Sequence, residues 1–436
     1  MKNDNSKKLI DFIEKSPSAF HVVSNIRERL LSEGVHELKE HSLWEIKSGE
    51  SYFVTRNMSS IIAFKVPNDD YVGFNIVSSH SDSPTFKIKE NAEIDVNSEY
   101  IKLNTERYGG MILSTWLDRP LSVAGRIVVR EGNNFITKLV NVDKDLLIIP
   151  NVAVHMDRTT NDGKKFNAQV DMLPLMGDIT SKGEFLNIIA KASDVDVEKI
   201  ISTDLYLYAR EKGRIIGAND EYVCSPKLDD LQCAYTSMEG FIKSKVNKSI
   251  AVFVVFDNEE VGSGTKQGAA STFLFDTLTR VNSMLGKTQN DYLKALASSF
   301  MISADNAHAV HPNQTSFADP TNKPYINKGI VIKYNANQKY TSDAISAAIF
   351  KGILDDMKIP YQSFANRSDL TGGSTLGNIS NTQVALNTVD IGLPQLAMHS
   401  IYETAGTKDT DYFIDVCEKF YGLTVRKIDN DNYIVE

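Results

Sequence analysis

Cysteine is scarce in this sequence. Its 436 residues include only Cys224, Cys233 and Cys417, and no two of them have the CxxC spacing of a redox or zinc motif. A sparse and odd set of cysteines argues against a disulfide framework and against a zinc site built from thiolates. We therefore expect the chain to work in the reducing environment of the cytoplasm.

Long apolar runs and blocks of positive charge are also missing. Asp11 and Glu14 interrupt the apolar residues near the N-terminus, so a signal peptide is not predicted. No stretch reaches the length of about 20 apolar residues that a membrane-spanning helix needs. The net charge is −9 and no Lys/Arg-rich block is present, so neither nucleic acid nor an anionic membrane surface is an expected partner.

The length and texture of the chain predict two domains. One hydrophobic core rarely organises 436 residues. Helical periodicity opens the chain, and the apolar runs VGFNIVSS (72–79) and IAVFVVF (250–256) suit the centre of a sheet, whereas Gly-punctuated strand candidates fill the region between them. We predict an α/β domain with a mostly parallel central sheet, formed by residues 1–90 and 222–436, and an inserted β-rich domain at 91–221.

Several histidines and carboxylates follow apolar strand candidates directly, where parallel strands would end. Ligands bind at this carboxyl edge of an open α/β sheet. Imidazole and carboxylate ligands without thiolate suit zinc, manganese or cobalt, and two such ions need about five protein ligands. The residues in these positions are His80 and Asp82 after VGFNIVSS, Asp257, Glu259 and Glu260 after IAVFVVF, Asp305 after SFMISA, His399 after IGLPQLAM, and Asp229 at the start of a predicted helix.

Each of these residues also has an ordinary structural interpretation. A histidine at a strand end is more often a hydrogen-bonded structural residue than a ligand, and an aspartate often caps a turn or a helix. The pair Glu259-Glu260 alone would indicate a solvated loop. Together, however, these residues would crowd acids at one sheet edge without a cation, which favours a metal site. Neighbours at a strand end point in different directions, so one glutamate could bind metal while the other serves as general base.

Two other motifs are weaker signals. The segment GSGTKQG (262–268) has neither the Walker spacing nor the dinucleotide-binding spacing, so it predicts a turn that leads into a helix. His308 and His311 have a spacing that could hold a metal on a helix, but Pro312 disfavours a regular helix there. We interpret both histidines as structural residues or as neighbours of the ligands.

Six sequence blocks occur in a defined order along the chain. They are HSDSPTFKIK, SPKLDDLQ, FDNEEVGS, SADNAHAVHPN, KYNANQKY and AMHSIYE. In this order the chain resembles the aspartyl aminopeptidases over essentially its whole length. The resemblance implies a zinc-peptidase-like α/β sandwich interrupted by a β-rich dimerisation domain, and a homo-oligomer in which dimers assemble into a tetrahedral dodecamer.

The resemblance also implies a centre with two divalent metal ions, expected to be zinc, with manganese or cobalt as alternatives. Glu259 would be the general base, and Asp82 would orient the imidazole of His80 and raise its basicity. The implied ligands are His80 and Asp305 for one ion, Glu260 and His399 for the other, and Asp229 bridging both.

Three further residues receive roles from the same resemblance. His155, in IPNVAVHMD, would reach the active site of a neighbouring subunit and help to stabilise the tetrahedral intermediate. Lys333, in KYNANQKY, would pair with the acidic side chain of the first residue of a peptide substrate, and Tyr340 would line the same pocket. Activity would then depend on assembly of the subunits.

The implied reaction is hydrolysis of the first peptide bond by a metal-bridged water that Glu259 deprotonates. Asp230 stands where many family members have Asn, and Tyr402 where Arg is common, so a preference for neutral first residues stays open beside a preference for Asp or Glu. A di-metal amidohydrolase of N-acyl amino acids would need similar ligands. A non-catalytic assembly protein would be expected only if ligands or the base were missing, and all six are present.

Overall fold

The computed structural model describes residues 3–430 and 432–436. Its α-helices are α1 (Asp4–Glu14), α2 (Ala19–Ser32), α3 (Phe185–Ala192), α4 (Leu228–Lys243), α5 (Phe273–Met284), α6 (Gln289–Ala297), α7 (Ala344–Met357), α8 (Leu376–Ser380) and α9 (Thr407–Gly422). Its strands are β1 (His36–Leu38), β2 (Ser51–Arg56), β3 (Ser60–Lys65), β4 (Gly73–His80), β5 (Thr85–Val96), β6 (Tyr100–Tyr108), β7 (Leu121–Glu131), β8 (Asn134–Asn141), β9 (Leu175–Asp178), β10 (Ile200–Ala209), β11 (Arg214–Ile216), β12 (Tyr222–Ser225), β13 (Ser249–Phe256), β14 (Phe300–Ala304), β15 (Ala307–His308), β16 (Ile330–Lys333), β17 (Tyr361–Phe364), β18 (Asn387–Gly392), β19 (Pro394–Leu396), β20 (Glu403–Gly406), β21 (Val425–Lys427) and β22 (Tyr433–Val435).

The central sheet contains nine strands in the order β1-β2-β3-β13-β4-β14-β18-β16-β17. Its middle strands β13, β4, β14 and β18 are parallel to their neighbours within this group, whereas β3 and β16 join the group in antiparallel pairs. Every residue of β4 and β13 is buried, which is typical of parallel strands with helices on both faces. The prediction of an α/β fold with a mostly parallel central sheet is confirmed.

The side chains of β13 alternate between two hydrophobic cores, because successive residues of a strand point to opposite faces of the sheet. Phe253 and Val255 belong to the core that contains residues of α1, α2, α4, α7 and α9. Val252 and Val254 belong to the core that contains residues of α5 and α6. Burial of one such side chain contributes roughly 1.5–3 kcal/mol to the stability of the folded state. The cores therefore hold helices against both faces, and polar residues collect where the strands end.

The six-stranded sheet is antiparallel throughout, with the order β8-β7-β10-β5-β6-β9. Its own core contains Phe86 and Trp116, whose rings meet edge to face at 5.1 Å. Phe185 and Ile189 of α3 belong to the same core. The strands lie between residues 85 and 209, so the predicted β-rich region does form a sheet of its own. The exact domain limits at 91 and 221 stay a prediction.

A five-stranded sheet with the order β11-β12-β20-β19-β15 adjoins the carboxyl edge of the central sheet. Strands β15 and β19 follow the central strands β14 and β18 after only a few residues, so the chain passes directly from one sheet into the other. The strands β21 and β22 pair as a separate two-stranded ribbon. The five-stranded sheet brings residues near His399 and Glu403 towards the ends of the central strands.

The three cysteines are buried and free. Burial raises the pKa of the Cys233 and Cys417 thiols, so these side chains contribute packing and no crosslinks. Within residues 3–430 and 432–436, no helix combines the length and the apolar composition needed to cross a membrane.

Candidate metal centre

The predicted metal ligands come together in one cleft at the carboxyl edge of the central sheet. His80 ends β4 and pairs with Phe256 at the end of the parallel strand β13. The 3-10 turn Glu259–Val261 follows β13 and therefore lies beside His80. Asp305 follows β14, which is parallel to β4 on its other side. The cleft has a volume of about 620 Å³ when the space open to solvent is included, and its lining includes His80, Asp229, Glu259, Glu260, Asp305, Lys333, Tyr340 and His399.

Three groups of side chains in this cleft could each hold a metal ion, since the ligand atoms of each group lie within 4.8 Å of one another. Asp229, His80 and Glu260 each belong to two of them. The groups are His80, Asp229, Asp230 and Asp305; His80, Glu259 and Glu260; and Asp229, Glu260 and His399. The five predicted ligands and the predicted base thus meet, and Asp230 joins them.

Asp229 lies between the two predicted histidine ligands. Its Oδ1 is 3.5 Å from Nε2 of His80, and its Oδ2 is 3.4 Å from Nε2 of His399. Oε2 of Glu260 is also 3.4 Å from His399 Nε2. One carboxylate oxygen towards each imidazole is an arrangement that suits a carboxylate shared by two cations.

The acids of the cleft are crowded and largely removed from water. Burial, together with repulsion from neighbouring carboxylates, raises the pKa of Asp230, Glu260 and Asp305. Burial first, and then nearby carboxylates, raises the pKa of Glu259 to about 8. Such a cluster favours protonated, uncharged acids unless positive charge compensates it.

Unsatisfied oxygen atoms provide a test of whether the cluster fits cations. Within the described part of the chain, the buried atoms Asp229 Oδ1, Asp230 Oδ1 and Glu260 Oε1 have no hydrogen-bond partner. Buried polar atoms are normally paired, so an unpaired set in one place requires an explanation. Divalent cations would be coordinated by these oxygen atoms and would compensate the negative charge. The mixture of nitrogen and oxygen donors suits zinc, manganese or cobalt.

Asp82 contacts both the imidazole of His80 and the turn Glu259–Val261. The Nδ1 atom of His80 lies 3.1 Å from the Asp82 carbonyl oxygen and 3.4 Å from Oδ1, which leaves Nε2 directed at the ligand cluster. The two carboxylate oxygens of Asp82 also accept backbone N–H bonds from Glu259 and Glu260, each at 3.2 Å. Asp82 therefore connects one histidine to the turn that carries the base.

Glu403 is a residue that sequence reasoning missed. Its side chain is buried and accepts backbone N–H bonds from Asp229 at 3.0 Å and from His399 at 2.8 Å. Burial first, and then the charge of Asp229, raises its pKa to about 8. Glu403 follows His399 within the block AMHSIYE, so it lies in a segment that the resemblance had already marked. A bond to a backbone amide, however, leaves no residue pattern that could have identified it.

Lys333 and Tyr340 both line the cleft. Lys333 is buried, and its Nζ donates to the Asn306 carbonyl oxygen at 2.8 Å and lies 3.7 Å from Oδ1 of Asp305. Burial opposes its charge, but Asp305 and Tyr340 raise its pKa, so the ammonium stays charged. Nζ is also 5.5 Å from the centre of the Tyr340 ring. Lys333 is therefore not a surface lysine.

His155 and Tyr402 lie away from the metal ligands of their own chain. His155 is exposed, as are Val154 and Met156 beside it, and it is not among the residues that line the cleft. Tyr402 packs against the core of the six-stranded sheet and donates a hydrogen bond to the Lys212 carbonyl oxygen. The role of His155 in a neighbouring subunit stays a prediction.

The two weaker motifs behave largely as expected. Residues 262–268 form the loop between the turn at Glu259 and helix α5, and the Thr265 and Gln267 side chains bind Oδ1 of Asn258. His308 lines the cleft and packs on Phe364, while His311 is exposed. Among the described residues, neither histidine joins a potential metal cluster.

Comparisons with known proteins agree with this geometry. The family described as "Aminopeptidase I zinc metalloprotease (M18)" matches residues 12–421. The chain is 50% identical to a probable M18 family aminopeptidase 2 from Clostridium novyi (strain NT), over 96% of this chain and 98% of the relative. It is 37% identical to aspartyl aminopeptidase 1 from Schizosaccharomyces pombe, over 94% of this chain and 93% of that protein.

Solved structures give the same result. The chain matches Ape4 from the cryo-EM structure of the Ape4 and Nbr1 complex with a TM-score of 0.92 and 36% identity, over 96% of this chain and 85% of the other. It matches the S. cerevesiae mApe1 dodecamer with a TM-score of 0.85 and 26% identity, over 96% of each chain. A sequence match over nearly the whole length, joined to a buried cluster of imidazole and carboxylate donors, shows that the chain belongs to the aminopeptidase I zinc metalloprotease (M18) family and is a zinc-dependent aminopeptidase.

Proposed function

We propose that this aminopeptidase preferentially removes Asp or Glu from the N-terminus of peptides and uses two divalent metal ions to do so. The observation that carries the proposal is the buried ammonium of Lys333, which lines the cleft beside the clustered imidazoles and carboxylates. A buried cation in a substrate cleft favours an anionic partner. The Schizosaccharomyces pombe relative, which is called an aspartyl aminopeptidase, supports the same preference.

The two ions would share Asp229. In this proposal His80 and Asp305 hold one ion, while Glu260 and His399 hold the other, which agrees with the grouping of their ligand atoms. Zinc agrees with the family description, and manganese and cobalt accept the same donors. When bound, the ions supply positive charge that polarises the peptide carbonyl and lowers the pKa of a coordinated water.

Glu259 would act as the general base. Its carboxylate lies within 4.8 Å of ligand atoms of His80 and Glu260, and its backbone is held by Asp82. The Glu259 carboxylate would take a proton from water and return it to the leaving amine. General-base catalysis of this kind contributes about 10²–10⁴-fold to the rate.

The two ends of the substrate's first residue would be recognised by opposite charges. The acids of the cleft would bind its free α-amino group and so restrict cleavage to the first peptide bond. Lys333 would pair with its side-chain carboxylate. The contacts of Nζ with Asn306 and Asp305 orient this charge before a substrate arrives. Tyr340, beside Nζ, would line the same pocket.

Assembly would complete the active site. The mApe1 relative is a dodecamer, and we propose that this chain also forms dimers that assemble into a tetrahedral dodecamer. The dimers would form through an inserted domain at 91–221, with residues 1–90 and 222–436 as the catalytic domain. His155 would then reach the cleft of a neighbouring subunit from its exposed position. The buried and free cysteines support a cytoplasmic location.

The substrate preference can be tested with Lys333→Met, whose control is Lys328→Met at an exposed position. Release of the first residue from Asp-, Glu-, Leu- and Ala-peptides is measured with added zinc, manganese or cobalt. We expect Lys333→Met to lower kcat/KM for Asp-peptides by about 10- to 100-fold relative to Leu-peptides, because a hydrogen bond to a charged group contributes about 1.5–3 kcal/mol. Lys328→Met should behave as the wild type.

Two outcomes would contradict the proposal. An unchanged ratio of Asp- to Leu-peptide cleavage in Lys333→Met would remove Lys333 from substrate selection. Cleavage of N-acetylated amino acids, without release of residues from free peptides, would replace the aminopeptidase with an amidohydrolase. Metal content is measured in parallel, since Lys333 also contacts Asp305.

A further inference from the structure

Residues 108–115, which we call the strap, run from the six-stranded sheet along the metal centre. The strap begins with the last residue of β6 and ends in the 3-10 turn Leu113–Trp116. It contributes none of the predicted ligands or the base, yet it contacts the loop that carries His399. The backbone N–H of Ile112 donates to the His399 carbonyl oxygen at 3.0 Å, and Oγ1 of Thr115 accepts from the backbone N–H of Ile401 at 3.1 Å.

Tyr108 links the strap to the turn that carries the base. Its hydroxyl donates to Oδ2 of Asp82 at 2.7 Å and accepts from Nδ2 of Asn258 at 2.8 Å. Asp82 in turn accepts the backbone N–H bonds of Glu259 and Glu260. The Tyr108 hydroxyl therefore contacts both Asn258, which precedes the turn, and Asp82, which holds the turn.

The two glycines after Tyr108 each lie beside a predicted metal ligand. Gly109 has φ +78°, and a Cβ atom at this position would lie 3.1 Å from Cβ of Glu260. Only a residue without a side chain combines this backbone angle with this close contact at little cost. Gly110 lies beside the His399 ring, since a Cβ atom at this position would be 3.9 Å from Nδ1 of His399.

We propose that the strap is a positioning element, through which the six-stranded sheet holds the base-bearing turn and His399 in the arrangement that binds metal. The inference rests on the proposed function, since it takes Glu260 and His399 as ligands and Glu259 as base. Tyr108 and Gly109 are positioning residues that act through Asp82 and Glu260. The sheet that lies outside the α/β core thus takes part in forming the metal centre.

Tyr108→Phe tests the hydroxyl, and Tyr100→Phe is its control because Tyr100 lies on the same strand and is 55% exposed. The affinity of the purified apoprotein for Zn²⁺ is measured by competition with a chromophoric chelator. We expect about 10-fold weaker binding in Tyr108→Phe, the lower end of the effect of removing a partner from outside the ligand set, because Asp82 loses a hydrogen bond, and no change in Tyr100→Phe. Amide hydrogen exchange should rise in residues 258–263 of Tyr108→Phe, while the thermal midpoint stays close to that of the wild type.

Gly109→Ala tests the close contact with Glu260. Gly34→Ala is a matched control, because Gly34 has the same φ of +78° and no atom of the described chain lies within 4 Å of its Cβ position. Weaker Zn²⁺ binding in Gly109→Ala than in Gly34→Ala supports the strap. Equal Zn²⁺ affinity in Tyr108→Phe and the wild type, or equal effects of the two glycine changes, would overturn it.

These outcomes can be told apart from a failure of the proposed function. Zn²⁺ affinity is read without turnover, so weaker binding in Tyr108→Phe and Gly109→Ala supports the strap even if Glu259→Gln remains active. Activity in Glu259→Gln would remove Glu259 as base. The proposal that the strap positions Glu260 and His399 would be unaffected.

Discussion

Two buried carboxylates hold the proposed metal ligands and the proposed base through backbone amides. Asp82 accepts from Glu259 and Glu260, and Glu403 accepts from Asp229 and His399. Loss of such an acceptor leaves a buried N–H group without a partner, which costs about 1–3 kcal/mol for each group. At the residue scale, the geometry of the cleft therefore depends on acids outside the proposed ligand set as well as on those within it.

His21 makes the stability of the fold depend on pH. It lies in α2, and its Nδ1 is 2.8 Å from Oγ of Ser18. Burial first, and then the charge of Lys227, lowers its pKa from 6.5 to about 4. The unfolded chain therefore binds a proton in a pH range where the folded chain does not. Stability from this group is fully present above pH 6.5 and is lost as the pH falls towards about 4, at up to about 1.4 kcal/mol for each pH unit.

The measurement is the thermal midpoint of His21→Gln and of the wild type between pH 7 and pH 4.5. We expect the thermal midpoint of the variant to fall less on acidification than that of the wild type. His41→Gln, at an exposed position, is the control and should follow the wild type. Parallel curves for His21→Gln and the wild type would show that His21 titrates alike in both states.

The elements nearest the sheet centre were the most predictable. The apolar runs that contain Phe74 and Phe253 predicted buried strands, and their polar ends predicted where His80 and Glu259 would lie. The carboxyl ends of parallel strands lie at the same edge of the sheet, so the order of apolar and polar residues along the sequence was enough to predict that these residues meet. The strap and Glu403 could not be predicted in this way, because their contacts join distant segments through backbone groups. The role of His155 was indicated only by the family resemblance.

Strand β13 carries an element-scale prediction through Phe253. Its side chain is fully buried, and its ring lies 6.0 Å from that of Phe241 in α4. Phe253→Ala should destabilise the fold by about 3–5 kcal/mol, because it removes apolar contacts and leaves a cavity between sheet and helix. Thermal unfolding of Phe253→Ala is compared with that of Phe317→Ala, whose side chain is 67% exposed. Similar midpoints for the two variants would contradict the packing described for β13.

At the scale of the whole molecule, a residue that acts in a neighbouring subunit allows complementation. If His155 completes the cleft of its partner, His155→Ala and Glu259→Gln are each inactive as pure assemblies. A mixed dimer would combine an intact Glu259 from one chain with an intact His155 from the other, because a two-fold interface places equivalent residues on both sides. We expect co-assembly of the two variants to restore part of the wild-type activity.

The control for complementation is a mixture of the two variants that were assembled separately and are not allowed to exchange subunits. It should stay inactive. Activity of pure His155→Ala assemblies equal to that of the wild type would show that each chain forms a complete site alone. An inactive co-assembly of both variants would show that His155 does not act across a subunit boundary.

We propose that a paired-metal cleft uses Glu259 as its base. The most direct test measures bound metal and release of Asp from an Asp-peptide in the same preparation of Glu259→Gln. We expect the variant to retain the metal content of the wild type, since the proposed ligands are intact, while kcat falls by about 10²–10⁴-fold. Turnover close to that of the wild type, with metal bound, would contradict it.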